Sequence, residues 1–199
     1  MRTKGPQHDD TKQAILDVAR KLVIKDGPAG LSLRKVARAA GFSAPSLYEY
    51  FDSKQALVDA IAAEIAASLR AALARAADSH RDPRGRLVAI GLAYVAWARR
   101  HGQDFMLLFA RMPSKRRSLA AAVPPASPYQ VVAAAVEDAI AAGVLTGGAA
   151  TVEHTAYALW AAAHGMAMLQ LTHLAGFDAP FERVDRDALT ALVDGLSPR

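Results

Sequence analysis

The segment from Leu31 to Phe51 reads LSLRKVARAAGFSAPSLYEYF and concentrates hydroxyl groups just after Gly41, at Ser43, Ser46, Tyr48 and Tyr50. Serine and tyrosine hydroxyls donate to phosphate oxygens. Ala44 and the two serines are small, and small side chains at the start of a helix let its N-terminus sit deep in the major groove of DNA. The chemistry on offer is therefore noncovalent contact with a nucleic acid.

Covalent or metal chemistry finds no comparable support. The chain has no Cys, which excludes a disulfide framework, a thiolate zinc site and a thiol nucleophile. The six histidines are His8, His80, His101, His154, His164 and His173. None forms an H-x-x-x-H pair, and no E-x-x-H falls on a helix as a di-iron bundle requires. His164 and His173 sit about half a turn out of phase and cannot share a metal from one face. Gly147 and Gly148 are not followed by Lys and Ser/Thr, so no phosphate loop forms. There is no G-x-S-x-G. The expectation is a protein that is not an enzyme and holds no metal or cofactor.

The elements that position the hydroxyls are helices. Alanine occurs 45 times in 199 residues. It is the best helix former and is depleted in strands, which predicts an all-α chain. Residues 1–10 read as a flexible basic arm with Arg2 and Lys4. Asp10 and Gln13 resemble a capping box, placing a helix start near Thr11. Its stripe is Ile15, Val18, Ala19, Leu22 and Val23, ended by Gly27 and Pro28. Ser32 caps a short helix that stops at Gly41, whose left-handed backbone makes the turn. Ser43 caps a second short helix, with Pro45 tolerated in its first turn. Ser53 caps a long fourth helix to about Ala77. Further helices are expected near 84–100, 103–111, 128–142, 151–175 and 187–196, with a Pro-rich basic loop over 112–128.

Two bulk properties bear on partners. The net charge is +5, and residues 1–60 are more basic per residue than the rest, which is compatible with a nucleic acid. From His154 to Phe177 there are 24 residues without Asp, Glu, Lys or Arg. Three His, two Thr and one Gln interrupt the run and no basic cluster flanks it, which reads as a buried helix rather than a membrane span. The first thirteen residues hold no apolar secretion segment. A cytoplasmic protein with no membrane partner is expected.

The run from Ser32, Arg34, Val36 and Ala37 through Ala40, Gly41, Phe42 and Ser43 to Leu47, Tyr48, Tyr50, Phe51, Ser53, Lys54 and Leu57 resembles the N-terminal signature of the TetR-type transcriptional repressors. It departs at Ala44, Pro45 and Ser46, where a small-Gly-Thr/Ser pattern is commoner, and at Glu49, where a basic or neutral residue is frequent. The resemblance implies a three-helix helix-turn-helix domain over 11–58, its fourth helix continuing to about 77. It implies a helical-bundle domain for ligand binding and dimerisation over 78–199. Carried across, Ser32 and Arg34 meet the DNA backbone, while Ser43, Ala44, Pro45 and Ser46 face base edges. Tyr48 touches a phosphate or a thymine methyl, and Tyr50 and Lys54 contact phosphates. Ser32, Ser43 and Ser53 also serve as helix caps, and Phe42, Leu47 and Phe51 as core.

Trp160, His164 and Gly165 resemble the W-x-x-x-H-G motif of a TetR subgroup. Tyr94, Trp97, Phe105, Met106, Phe109, Tyr157, Trp160, His164 and Met168 form the expected wall of an effector pocket. None is charged, so the effector implied is small and apolar or aromatic. The expected partners are a palindromic DNA operator, a second copy bound through the last two helices, and that unidentified effector. The uncharged run 154–177 and the stripe Leu189, Leu192, Val193 and Leu196 are the surfaces expected to meet the second copy. The alternative is a DNA-binding regulator whose C-terminal core is filled and answers to no small molecule.

Overall fold

The computed structural model describes residues 6–109, 126–146 and 149–197. Among them the fold is all-α, with nine helices. These are α1 (Pro6–Gly30), α2 (Leu33–Ala40), α3 (Ala44–Tyr48), α4 (Lys54–Asp78), α5 (Pro83–Arg100), α6 (Gly102–Phe109), α7 (Pro128–Ala141), α8 (Ala149–Leu171) and α9 (Phe181–Gly195). The chain divides into two compact units, Met1–Ile65 and Ala66–Arg199.

In the first unit α1 buries Ile15, Leu16, Ala19 and Val23 along one face, and α2 packs against it. The Ser32 hydroxyl accepts the Lys35 backbone N–H at 3.2 Å and starts α2. Gly41 ends it with φ 76° and ψ 23°, its N–H turned back to the carbonyls of Ala37 and Arg38. A side chain with a Cβ is strained at that φ, so the turn needs its glycine. Leu47 and Phe51 then drop into the core beside Leu57 and Ile61.

Two expectations about α1 are corrected. It begins at Pro6 rather than near Thr11, so residues 6–10 are helix and not arm; residues 1–5 lie outside the described residues. Pro at a first helical position costs nothing, and Asp9 in the first turn suits the helix dipole. Gln13 accordingly makes no reciprocal cap and reaches forward to the Asp17 carboxylate at 3.2 Å. Gly27 kinks α1 without ending it, at φ 72° and ψ 167°.

In the second unit α5 is central. It buries Leu87, Ile90, Tyr94, Val95, Trp97 and Ala98 and packs against α7, α8 and α9. Gly91 allows the closest of these approaches, because a Cβ there would lie 2.8 Å from a methyl of Leu189. α9 starts at Phe181, six residues before the expected Asp187, since Pro180 precedes it and Glu182 occupies its first turn. Leu189 and Val193 are buried within the chain, which corrects their assignment to a partner surface. α8 is not enclosed on all sides. It buries Ala156, Leu159, Ala163 and Ala167 and exposes Tyr157 and Leu169 on the opposite side. None of the helices among the described residues is long and apolar enough to cross a membrane. The expected loop over 112–128 lies mostly outside the described residues.

Candidate nucleic-acid interface and core cluster

The recognition segment is built from its cap outward. The Ser43 hydroxyl accepts the Ser46 backbone N–H at 3.2 Å and starts α3. The two side-chain hydroxyls also lie 2.7 Å apart and bond to each other. Burying Leu47 turns the other side of α3 outward: Pro45 is exposed, Ala44 and Ser46 are half-buried, and Tyr48 is 54% exposed. Ser32 and Arg34 are exposed on α2, and Lys54 opens α4 half-buried. The nine residues expected to meet DNA thus keep solvent access, in the same compact unit.

One member of this unit was missed by sequence reasoning. The His8 ring stacks on Tyr50, with centroids 4.6 Å apart and planes at 29°. Neither His8 ring nitrogen has a hydrogen-bond partner among the described residues. The residue was hidden because residues 1–10 read as an arm; a helix beginning at Pro6 carries it to Tyr50.

The second site is an aromatic cluster inside the helical unit. Tyr94 on α5 meets Trp160 on α8 edge-on at 5.0 Å and Phe105 on α6 at 5.8 Å. His164, one turn beyond Trp160, lies 4.6 Å from Phe109 and 5.3 Å from Phe105. Its Nδ1 is 2.8 Å from the Tyr94 hydroxyl, with the phenol donating when the imidazole proton sits on Nε2. Burial pushes the Tyr94 hydroxyl far above its usual value and holds His164 below its own. Both groups are therefore neutral near pH 7, and each satisfies the other. Tyr129 on α7 adds a ring 5.6 Å from Trp160. Sequence reasoning passed over it, although it is the single aromatic residue of its helix.

Three residues of the expected pocket wall do not join the cluster. Met106 is 42% and Tyr157 56% exposed, because each falls on the opposite side of its helix from Phe105 and Trp160. Trp97 is buried but faces elsewhere, stacking on His101 at 4.9 Å and donating its indole N–H to Ser68 Oγ at 3.2 Å. Met168 lies half-buried one turn beyond His164. Beneath Trp160 an enclosed apolar gap lined by Tyr94, Val132, Leu159, Ala163 and Leu189 holds about 10 Å³, the space of a single water. No group of His, Asp or Glu able to hold a metal occurs among the described residues.

The state of His164 makes folding stability depend on pH. Its value is lowered in the folded chain, so the unfolded chain takes up a proton at higher pH. The unfolded state then binds more protons, and stability falls as pH drops through and below about 6.5. Urea denaturation at pH 7.5 and 5.5 is expected to show a larger loss for the wild type than for His164→Gln. Equal losses contradict this account of the pair.

Comparison with known proteins agrees with both halves of this architecture. Residues 15–61 match the family of bacterial regulatory proteins, tetR family. Residues 87–196 match the tetracyclin repressor-like C-terminal domain. A Mycobacterium tuberculosis HTH-type transcriptional regulator is 30% identical over 155 residues, covering 72% of this chain and 62% of that protein. The class D tetracycline repressor protein of Escherichia coli is 39% identical over 56 residues, 28% of this chain and 26% of its own. Against such curated relatives the matched stretch spans between a fifth and two thirds of their length. The structure of a protein of unknown function from Rhodococcus sp. RHA1 superposes with a TM-score of 0.76 at 29% identity, covering 98% of this chain and all of that one. With an N-terminal helix-turn-helix and a C-terminal helical unit both matched, the chain belongs to the TetR family of bacterial transcriptional regulators.

Proposed function

We propose that the protein is a cytoplasmic transcriptional repressor that binds a palindromic operator as a homodimer and is released by a small apolar or aromatic effector. It falls in the subgroup of its family that carries W-x-x-x-H-G on α8. The observation that carries DNA binding is the recognition segment: a left-handed Gly41 turn, a capped α3, and Ala44, Pro45 and Tyr48 facing outward. The named tetracycline repressor among the relatives supports repression. Exposed Tyr157 and Leu169 on α8 and Val184 on α9 support a partner on the last two helices, and a helix-turn-helix dimer reads two half-sites about 34 Å apart. Light scattering is expected to give a dimer. Lys54→Ala is expected to weaken binding to every sequence and to lower the salt slope by about two, one phosphate contact per subunit. Light scattering showing a monomer, or an unchanged slope, counts against the reading.

The effector sits against the Tyr94–His164 pair. DNA and effector then oppose each other by the same coupling free energy, typically about 1–3 kcal/mol. A second reading, a regulator without an effector, is favoured by the gap of about 10 Å³ beneath Trp160. Titrating apolar aromatic compounds against Trp160 fluorescence in a Trp97→Phe variant separates the two. A compound that quenches Trp160 and leaves operator affinity unchanged refutes induction.

A further inference from the structure

Resting on the DNA-binding reading, we infer that α3 selects operator bases through the 5-methyl group of pyrimidines, which in unmodified DNA is thymine. The argument begins with what the segment lacks. From Ser43 to Tyr50 there is no Arg, Lys, Asn or Gln, the side chains that read guanine or adenine by paired hydrogen bonds in the major groove. The two small hydroxyls are engaged. Ser43 and Ser46 bond to each other at 2.7 Å and Ser43 also accepts the Ser46 N–H, so the pair keeps a single O–H donor between them.

What the segment presents instead is carbon. Pro45 is exposed and Ala44 half-buried, while the ring of Tyr48, one turn from Ala44, is 54% exposed. Leu47 lies fully inside, so nothing longer stands between these groups and a groove. Major-groove edges offer one apolar complement to such a surface, the methyl on C5 of thymine. The match is one of side-chain chemistry and needs no charge at the start of α3. Arg34, on α2, remains free to contact phosphate or guanine without altering what α3 can read.

The test changes the DNA and leaves the full-length protein untouched. An operator is first enriched from a random duplex pool. Each thymine of one half-site and its symmetry mate is then replaced by uracil, which removes the methyl and keeps every hydrogen-bonding group. At one or more positions affinity is expected to fall about fourfold per methyl, or about fifteenfold for the pair. At those positions a C·G pair is expected to bind weakly and a 5-methylcytosine·G pair to recover part of the loss. Pro45→Ala is expected to reduce the uracil penalty at one position only. Uracil operators that all bind within twofold of the thymine operator overturn the inference. A pool that enriches no sequence overturns the DNA-binding reading itself, and the two failures are thereby told apart.

Discussion

Replacing Ala44 by glutamate is expected to lower operator affinity on the order of a thousandfold. Ala44 opens α3 on the outward side of a helix whose inward side is held by Leu47. A carboxylate there enters the groove between phosphates, and like charges brought together at an interface cost several kcal/mol. A dimer incurs that cost twice. The fold has no reason to suffer, since an acidic residue in a first turn favours the helix dipole. Unfolding midpoints of Ala44→Glu and wild type are therefore expected to agree, while anisotropy titrations diverge. A variant that still binds its operator within tenfold places the groove contact somewhere other than α3.

Phe105→Ala is expected to destabilise the helical unit by about 3–5 kcal/mol. Phe105 is fully buried and touches Tyr94, Phe109 and His164 at ring distances of 5.8, 4.8 and 5.3 Å. Its removal leaves a void that three stiff rings from α5, α6 and α8 cannot collapse into. The neighbouring Met106→Ala serves as the control, because that side chain is 42% exposed and surface changes stay within about 0.5 kcal/mol. Urea unfolding followed by Trp160 emission distinguishes them. Equal losses for the two variants contradict the register of α6.

The recognition segment was legible because local rules decide it. Ser32, Gly41 and Ser43 are read from cap and turn chemistry spanning three or four residues, and the structure places them in those roles. The core cluster was legible only in part. Tyr94, Phe105, Phe109, Trp160 and His164 come together, but Met106, Tyr157 and Trp97 do not. Their departure follows from helix phase. On an alanine-rich helix such as α8, apolar residues surround the axis, so composition does not mark which side faces inward. Leu189 and Val193 were misassigned for a related reason. Their stripe was visible, but not that Gly91 lets α5 cover it from within the chain. His8 was lost to the conventional reading of a polar terminus as unstructured.

The central claim is that two copies of this chain read an inverted repeat through α3. The most direct measurement is enrichment of duplexes from a random pool, followed by stoichiometric titration of the winning sequence. The account predicts an inverted repeat with half-site centres about one helical turn apart or a multiple of it, saturated at two or four chains per duplex. Its affinity falls steeply with salt. Enrichment of no sequence, or saturation by a single chain on a site without symmetry, contradicts it.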